Sequence, residues 1–164
     1  MHRERYKTLK YLNMDKQKSI QALQAYATGL AAQSLQHKIE SKVFAAQGFS
    51  KLGEKYAEHA DEEMEWVDKF IDRIIDLGGC PKVEAAPEMP VCDDPVEYIK
   101  SDLAVSVREV PILMDLTTSL SDDFKTYDLL RAYALDEEED MYWSQGQLEM
   151  IEKIGLQNWL TKQI

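Results

Sequence analysis

Basic residues are scarce in this chain: 19 Lys and Arg stand against 30 Asp and Glu, for a formal net charge of −11. That balance disfavours a nucleic-acid partner and favours a surface that attracts cations. Cysteine is scarcer still. Cys80 and Cys92 form no Cys-x-x-Cys pair and have no His neighbours at zinc-ligand spacing, so a zinc site and a disulfide framework are excluded and both read as reduced thiols. No apolar run approaches the length of a membrane span, and Met1 to Asn13 contains nothing like the apolar core of a signal peptide. The expectation is a cytoplasmic protein with no membrane partner. A length of 164 residues is enough for one domain with a single continuous core.

Glycine and proline are also few, 7 and 5, and they cluster. Between the clusters apolar residues recur every three or four positions, which is the pattern of long helices. A first helix is expected from about Lys18 to Gln47, ending at Gly48, with residues 1–17 as an extension to a domain spanning 18–164. A second helix runs from about Phe49 to Leu77, where Gly78 and Gly79 can supply a left-handed cap and Pro81 forbids continuation. Residues from Pro81 to Asp94 hold three prolines and read as a long crossover. The third helix starts at Asp94-Pro95 and reaches about Leu120, with a kink expected at Pro111, and the fourth runs from about Ser121 to Ile154. Gly155 then breaks the chain before a short fifth helix, Leu156 to Ile164. Two helical pairs joined by one long connection make an all-α, ferritin-like four-helix bundle.

Two helices carry an acid where the apolar stripe calls for a hydrophobic residue. In the second helix Glu63 interrupts Leu52, Tyr56, His59, Trp66, Phe70 and Ile74; in the fourth, Glu137 interrupts Leu130, Ala134, Met141 and Leu148. A buried carboxylate needs a partner, and two of them on facing helices could share a metal ion or a proton. The alternative is a hydrogen-bonded polar layer in which Trp66, Ser106, Asp140, His37 or His59 satisfies the two acids.

The C-terminal segment IGLQNWLTKQI, from Ile154 to Ile164, closely resembles the end of bacterioferritins, where the last long helix breaks and a short helix approaches a fourfold axis. Lys100 to Ala104 (KSDLA) and Asp68 to Pro81 (DKFIDRIIDLGGCP) resemble the same family. The resemblance extends over nearly the whole chain from Lys18. It implies an oligomeric iron-storage cage containing iron mineral, with ferroxidase activity in the family at large. The family's di-iron ligands are a Glu on each of two helices and a Glu-x-x-His on each of the other two. By position they fall here on Leu30, on Glu63 with Trp66, on Ser106, and on Glu137 with Asp140. Leu30 cannot ligate, Trp66 offers only an N–H donor, and Ser106 replaces a bridging carboxylate poorly. Glu63, Glu137 and Asp140 are therefore the remaining iron-binding candidates.

The family also binds haem b on a twofold axis through one methionine from each of two subunits, and Met64 stands at that position. Ala57 and Ala60 are expected to leave room for the macrocycle, and Lys38 to balance Asp61 beside it. The reading that results is a cage subunit that binds haem through Met64 and lacks an intact ferroxidase site. It assembles either as a homo-oligomer or with a second, ferroxidase-competent bacterioferritin subunit. The alternatives are a ferroxidase with a remodelled centre built on Glu63, Glu137 and Asp140, and a structural ferritin-like protein without metal.

Overall fold

Five helices account for nearly all of the chain, and the described residues contain no strand: α1 His2–Ala46, α2 Ser50–Asp76, α3 Pro95–Thr118, α4 Phe124–Ile154 and α5 Leu156–Lys162. The computed structural model describes residues 2–164, with side chains from Lys16 onward. The expected all-α fold is the one found, including the crossover and the short fifth helix. α1 begins earlier than the expected Lys18, since no Pro interrupts the segment between His2 and Ala46.

Local chemistry sets the helix ends. The side chain of Asp94 accepts hydrogen bonds from the backbone N–H groups of Val96 (2.8 Å) and Glu97 (3.1 Å), capping α3, and Pro95 fills the first turn where no donor is needed. Pro111 lies inside α3 without ending it. At the end of α2, Gly78 adopts φ +82°, and the N–H groups of Gly79 and Gly78 bond to the carbonyls of Ile74 and Ile75. That is the doubly bonded left-handed cap its sequence predicts. Asp123 caps α4 and also accepts from Arg73 Nη2 (2.6 Å) and Ser19 Oγ (2.7 Å), tying three helices together at one end.

α1 packs along α2 and α3 along α4. Gly53 makes the α1–α2 approach close: a Cβ there would stand 2.8 Å from the carbonyl oxygen of Ser41. The apolar core divides in two. One cluster holds Leu23, Leu30, Phe70, Ile74, Leu113 and Leu130; the other holds Phe44, Leu52, Tyr56, Tyr98, Ile99 and Trp159. Trp159 belongs to α5, has no exposed surface, and donates from Nε1 to Gln147 at 3.0 Å. The backbone N–H of Lys51 bonds to the carbonyl of Gln163, holding α5 against the start of α2. The short helix therefore completes the core of its own chain.

Candidate functional site

Between the two apolar clusters the core stripes turn polar at one level of the bundle. Ser34, His37, Glu40 and Ser41 on α1, His59 and Glu63 on α2, and Ser106 on α3 are all buried. Each lies on its helix's inward face at three- and four-residue spacing, so the fold that buries the apolar residues buries these as well.

His37 is the hub of the layer. Its Nδ1 lies 3.0 Å from Glu63 Oε2 and its Nε2 3.3 Å from Asp102 Oδ1. Burial works against a charged ring, but the hydrogen bonds to Asp102 and Glu63 prevail and raise its pKa to about 10. Burial also pushes the Glu63 carboxyl upward, against the hydrogen bond from His37. The proton belongs on His37, because both ring nitrogens face carboxylates while Glu63 faces a single imidazole. At neutral pH an imidazolium thus sits inside the bundle between two acids.

Glu137 and Asp140 share this neighbourhood. Burial, with Glu63 nearby, raises Glu137 to about 8 despite the Tyr133 hydroxyl. Burial likewise raises Asp140 to about 7, opposed by Lys55 and reinforced by Asp136 and Glu62. His59 is lowered to about 3 by burial, then by Lys55 and His37, so its ring is neutral. Its Nε2 lies 3.4 Å from Asp140 Oδ1 yet has no hydrogen-bond partner.

The other positions that the bacterioferritin resemblance aligns with iron ligands carry different chemistry. Leu30 is buried in the first apolar cluster. Trp66 donates its indole N–H to Asp136 Oδ2 at 2.6 Å, and the ring lies beside Phe70 and Tyr133. Ser106 Oγ donates to the Asp102 carbonyl at 3.2 Å. Of the partners weighed from sequence, His37 is the one that satisfies Glu63; Trp66 turns to Asp136 instead. Among the described residues no group of three or more His, Cys, Asp or Glu side chains is arranged to hold a metal ion.

Sequence reasoning missed Asp102, Glu40 and Asp136. Asp102 could have been found, since it precedes Ser106 by four residues and so shares its helix face. Glu40 could also have been found, one turn beyond His37; it is fully buried, accepting from Gln36 Nε2 (2.8 Å) and the Cys92 backbone N–H (2.9 Å). Nothing in the sequence singled out Asp136 from the acidic run that follows it.

Met64 points away from this layer. It is 41% exposed, and Leu35 and Ile39 on α1 are also exposed apolar side chains. Lys38 Nζ lies 3.8 Å from Asp61 Oδ1, the pairing expected beside Met64. On the same helical pair a cleft of about 420 Å³ is lined by Ala27, Ala31, Val67 and Ile71 and bordered by the crossover. Ala60, expected to open space beside Met64, is instead buried, and its carbonyl accepts from Ser34 Oγ at 2.7 Å. Ala60 belongs to the α1–α2 seam, because it adjoins buried His59 and stands three residues before buried Glu63, which sets it toward the inward face of α2.

Comparison with known proteins agrees with this architecture. The ferritin-like domain family matches residues 20–154. A bacterial ferritin of Pseudomonas aeruginosa is 34% identical over 149 residues, covering 88% of this chain and 96% of that protein. A bacterial ferritin of Neisseria meningitidis serogroup B is 34% identical over 132 residues, 79% of this chain and 85% of that one. A bacterioferritin of Mycobacterium avium is 25% identical over 124 residues, 74% and 78% respectively.

Proposed function

This chain belongs to the ferritin-like family, and from that premise we propose that it is a subunit of an iron-storage cage, carrying haem b on Met64 and lacking a working di-iron ferroxidase centre. The observation that carries the reading is the polar layer: His37 holds the Glu63 carboxylate that would face iron, and Leu30, Trp66 and Ser106 fill three other ligand positions. These residues do not fit a di-iron cofactor. Two irons need more anionic ligands than Glu63, Glu137 and Asp140 supply. Iron is then cargo, meeting the chain at those three acids and at exposed acids such as Glu58 and Glu62.

Met64 does fit haem, since its thioether is a soft donor suited to haem iron and stands exposed on the outer α1–α2 face. A twofold axis beside it would present a second Met64 from the partner subunit. Bound there, haem would supply one-electron redox chemistry; the chain's own part would be the ligating sulfur of Met64, with the Lys38–Asp61 ion pair beside it. Oxidation of stored iron falls to a second, ferroxidase-competent subunit in a mixed cage. Ferrous iron added to the homomeric protein should oxidise no faster than in buffer when followed by stopped-flow absorbance. Saturable oxidation of two irons per subunit would overturn this reading.

A further inference from the structure

The surface beside Met64 carries charge as well as a thioether. Lys38 on α1 reaches across to α2, where its Nζ stands 3.8 Å from Asp61 Oδ1. Asp61 precedes Met64 by three residues, so the two share a face of α2 one turn apart. The contact therefore places an ammonium beside the turn that presents the sulfur. The side chains of Lys38 and Asp61 are 59% and 78% exposed, and an ion pair this long and this solvated contributes little. Lys38 is thus free to be taken by a better anion. A second subunit laid over Met64 would also draw both charges out of water, and charges so removed need closer partners than this pair provides.

Resting on the reading of Met64 as a haem ligand, we propose that Lys38 of each subunit leaves Asp61 and pairs with one haem propionate. The numbers match. Haem b carries two propionates, and a twofold axis that brings two Met64 sulfurs to one iron brings two Lys38 ammoniums with them. A propionate held at a subunit interface loses part of its water, and an ammonium that donates a hydrogen bond to it there is worth more than the same pair in bulk solvent. The lysine stem is long and flexible enough to swing the charge from one carboxylate to the other while its methylenes stay against the protein. Asp61 is then a competitor. It keeps Lys38 at the α1–α2 groove in the empty protein and repels the propionate in the loaded one. Met64 selects for haem iron, and Lys38 selects for a macrocycle with free carboxylates.

The probes are haem b and its dimethyl ester, which keeps the iron and the ring but has no propionate charge. Haem-free full-length protein titrated with each and followed by absorbance should bind haem b at least about tenfold more tightly than the ester, the size expected of charge-assisted contacts. Lys38→Met should lose that factor for haem b and no longer distinguish it from the ester, while the low-spin spectrum persists because Met64 is untouched. Asp61→Asn should bind haem b more tightly than wild type does. Circular dichroism and light scattering check that the variants fold and assemble as wild type, and the ester tests the same contact without any substitution. Equal affinity of wild type for the two probes, or full preference for haem b retained in Lys38→Met, overturns the role of Lys38 and leaves Met64 in place. Wild-type protein that takes up no low-spin haem overturns the reading of Met64 and that of Lys38 with it, so the two failures are told apart by the spectrum.

Discussion

Replacing His37 by Gln tests whether an imidazolium holds the polar layer together. The rise of the His37 pKa from 6.5 to about 10 corresponds to roughly 5 kcal/mol of preference for the charged ring. Gln removes the charge and can donate well to only one of the two carboxylates, leaving Glu63 and Asp102 to compete for it. Removing one partner of a buried ion pair costs about 3–5 kcal/mol, and the lower end is expected because Glu63 can take up a proton. Since the folded pKa lies above the unfolded one, the His37 contribution is complete below pH 6.5 and is lost as pH rises through about 10. Urea unfolding of wild type and variant, followed by circular dichroism from pH 6 to 10, should show a difference of about 3 kcal/mol at pH 6 that shrinks to under about 1 kcal/mol by pH 10. Taking the difference cancels the titration of lysines and tyrosines remote from His37. A gap that stays constant across that range would refute the charged-hub account.

Two other outcomes bear on the haem face and on the fifth helix. Met64→Leu preserves volume and apolarity, so it should abolish binding of haem b, read as loss of the low-spin spectrum and of the ratio of one haem per two subunits, with less than about 1.5 kcal/mol of destabilisation; a full haem complement in the variant removes Met64 from the ligand set. Trp159→Ala should destabilise the subunit by about 3–5 kcal/mol, because the indole is fully buried, and a change near zero in denaturant unfolding would mean that α5 is dispensable to the core.

Most of the helical architecture could be read from the sequence because its punctuation is local. Gly78, Pro81, Asp94, Pro95 and Gly155 each act on their own backbone, and α2 and α5 accordingly begin and end within a few residues of the expected positions. The start of α1 was not legible. Lys18 marked where family resemblance began, and no physical signal there ends a helix. Burial of His37, His59 and Glu63 followed from periodicity, but their pairing did not. Periodicity fixes the angular position of a residue on its own helix and says nothing of the height at which neighbouring helices meet it. So Glu63 was recognised as needing a partner while Asp102, which shares that partner, was overlooked. Trp159 shows the same limit: its sequence context suggested an assembly role, and only the folded chain places it among Phe44, Leu52 and Tyr98.

The same geometry accounts for how the bundle would stay coherent under the proposed loss of its di-iron ligands. Glu63 and Glu137 are acids that, with no metal, would repel one another across a poorly solvated gap, and such groups either protonate or acquire a cation. Both solutions are present. Glu137 moves toward the neutral form, with its pKa raised to about 8, and Glu63 gains His37 as its counter-charge. Trp66 adds volume where a second imidazole ligand would stand, and its N–H is paired with Asp136 rather than left unsatisfied. Leu30 joins the apolar cluster with no polar atom to place. Each residue that differs from the di-iron pattern is thus accommodated locally, Trp66 by a hydrogen bond and Leu30 by apolar packing. Among the described residues, three buried polar atoms stay without a hydrogen-bond partner, His59 Nε2, Glu40 Oε2 and the Tyr56 hydroxyl oxygen, and all three lie on the aromatic side of the layer, away from Leu30 and Trp66.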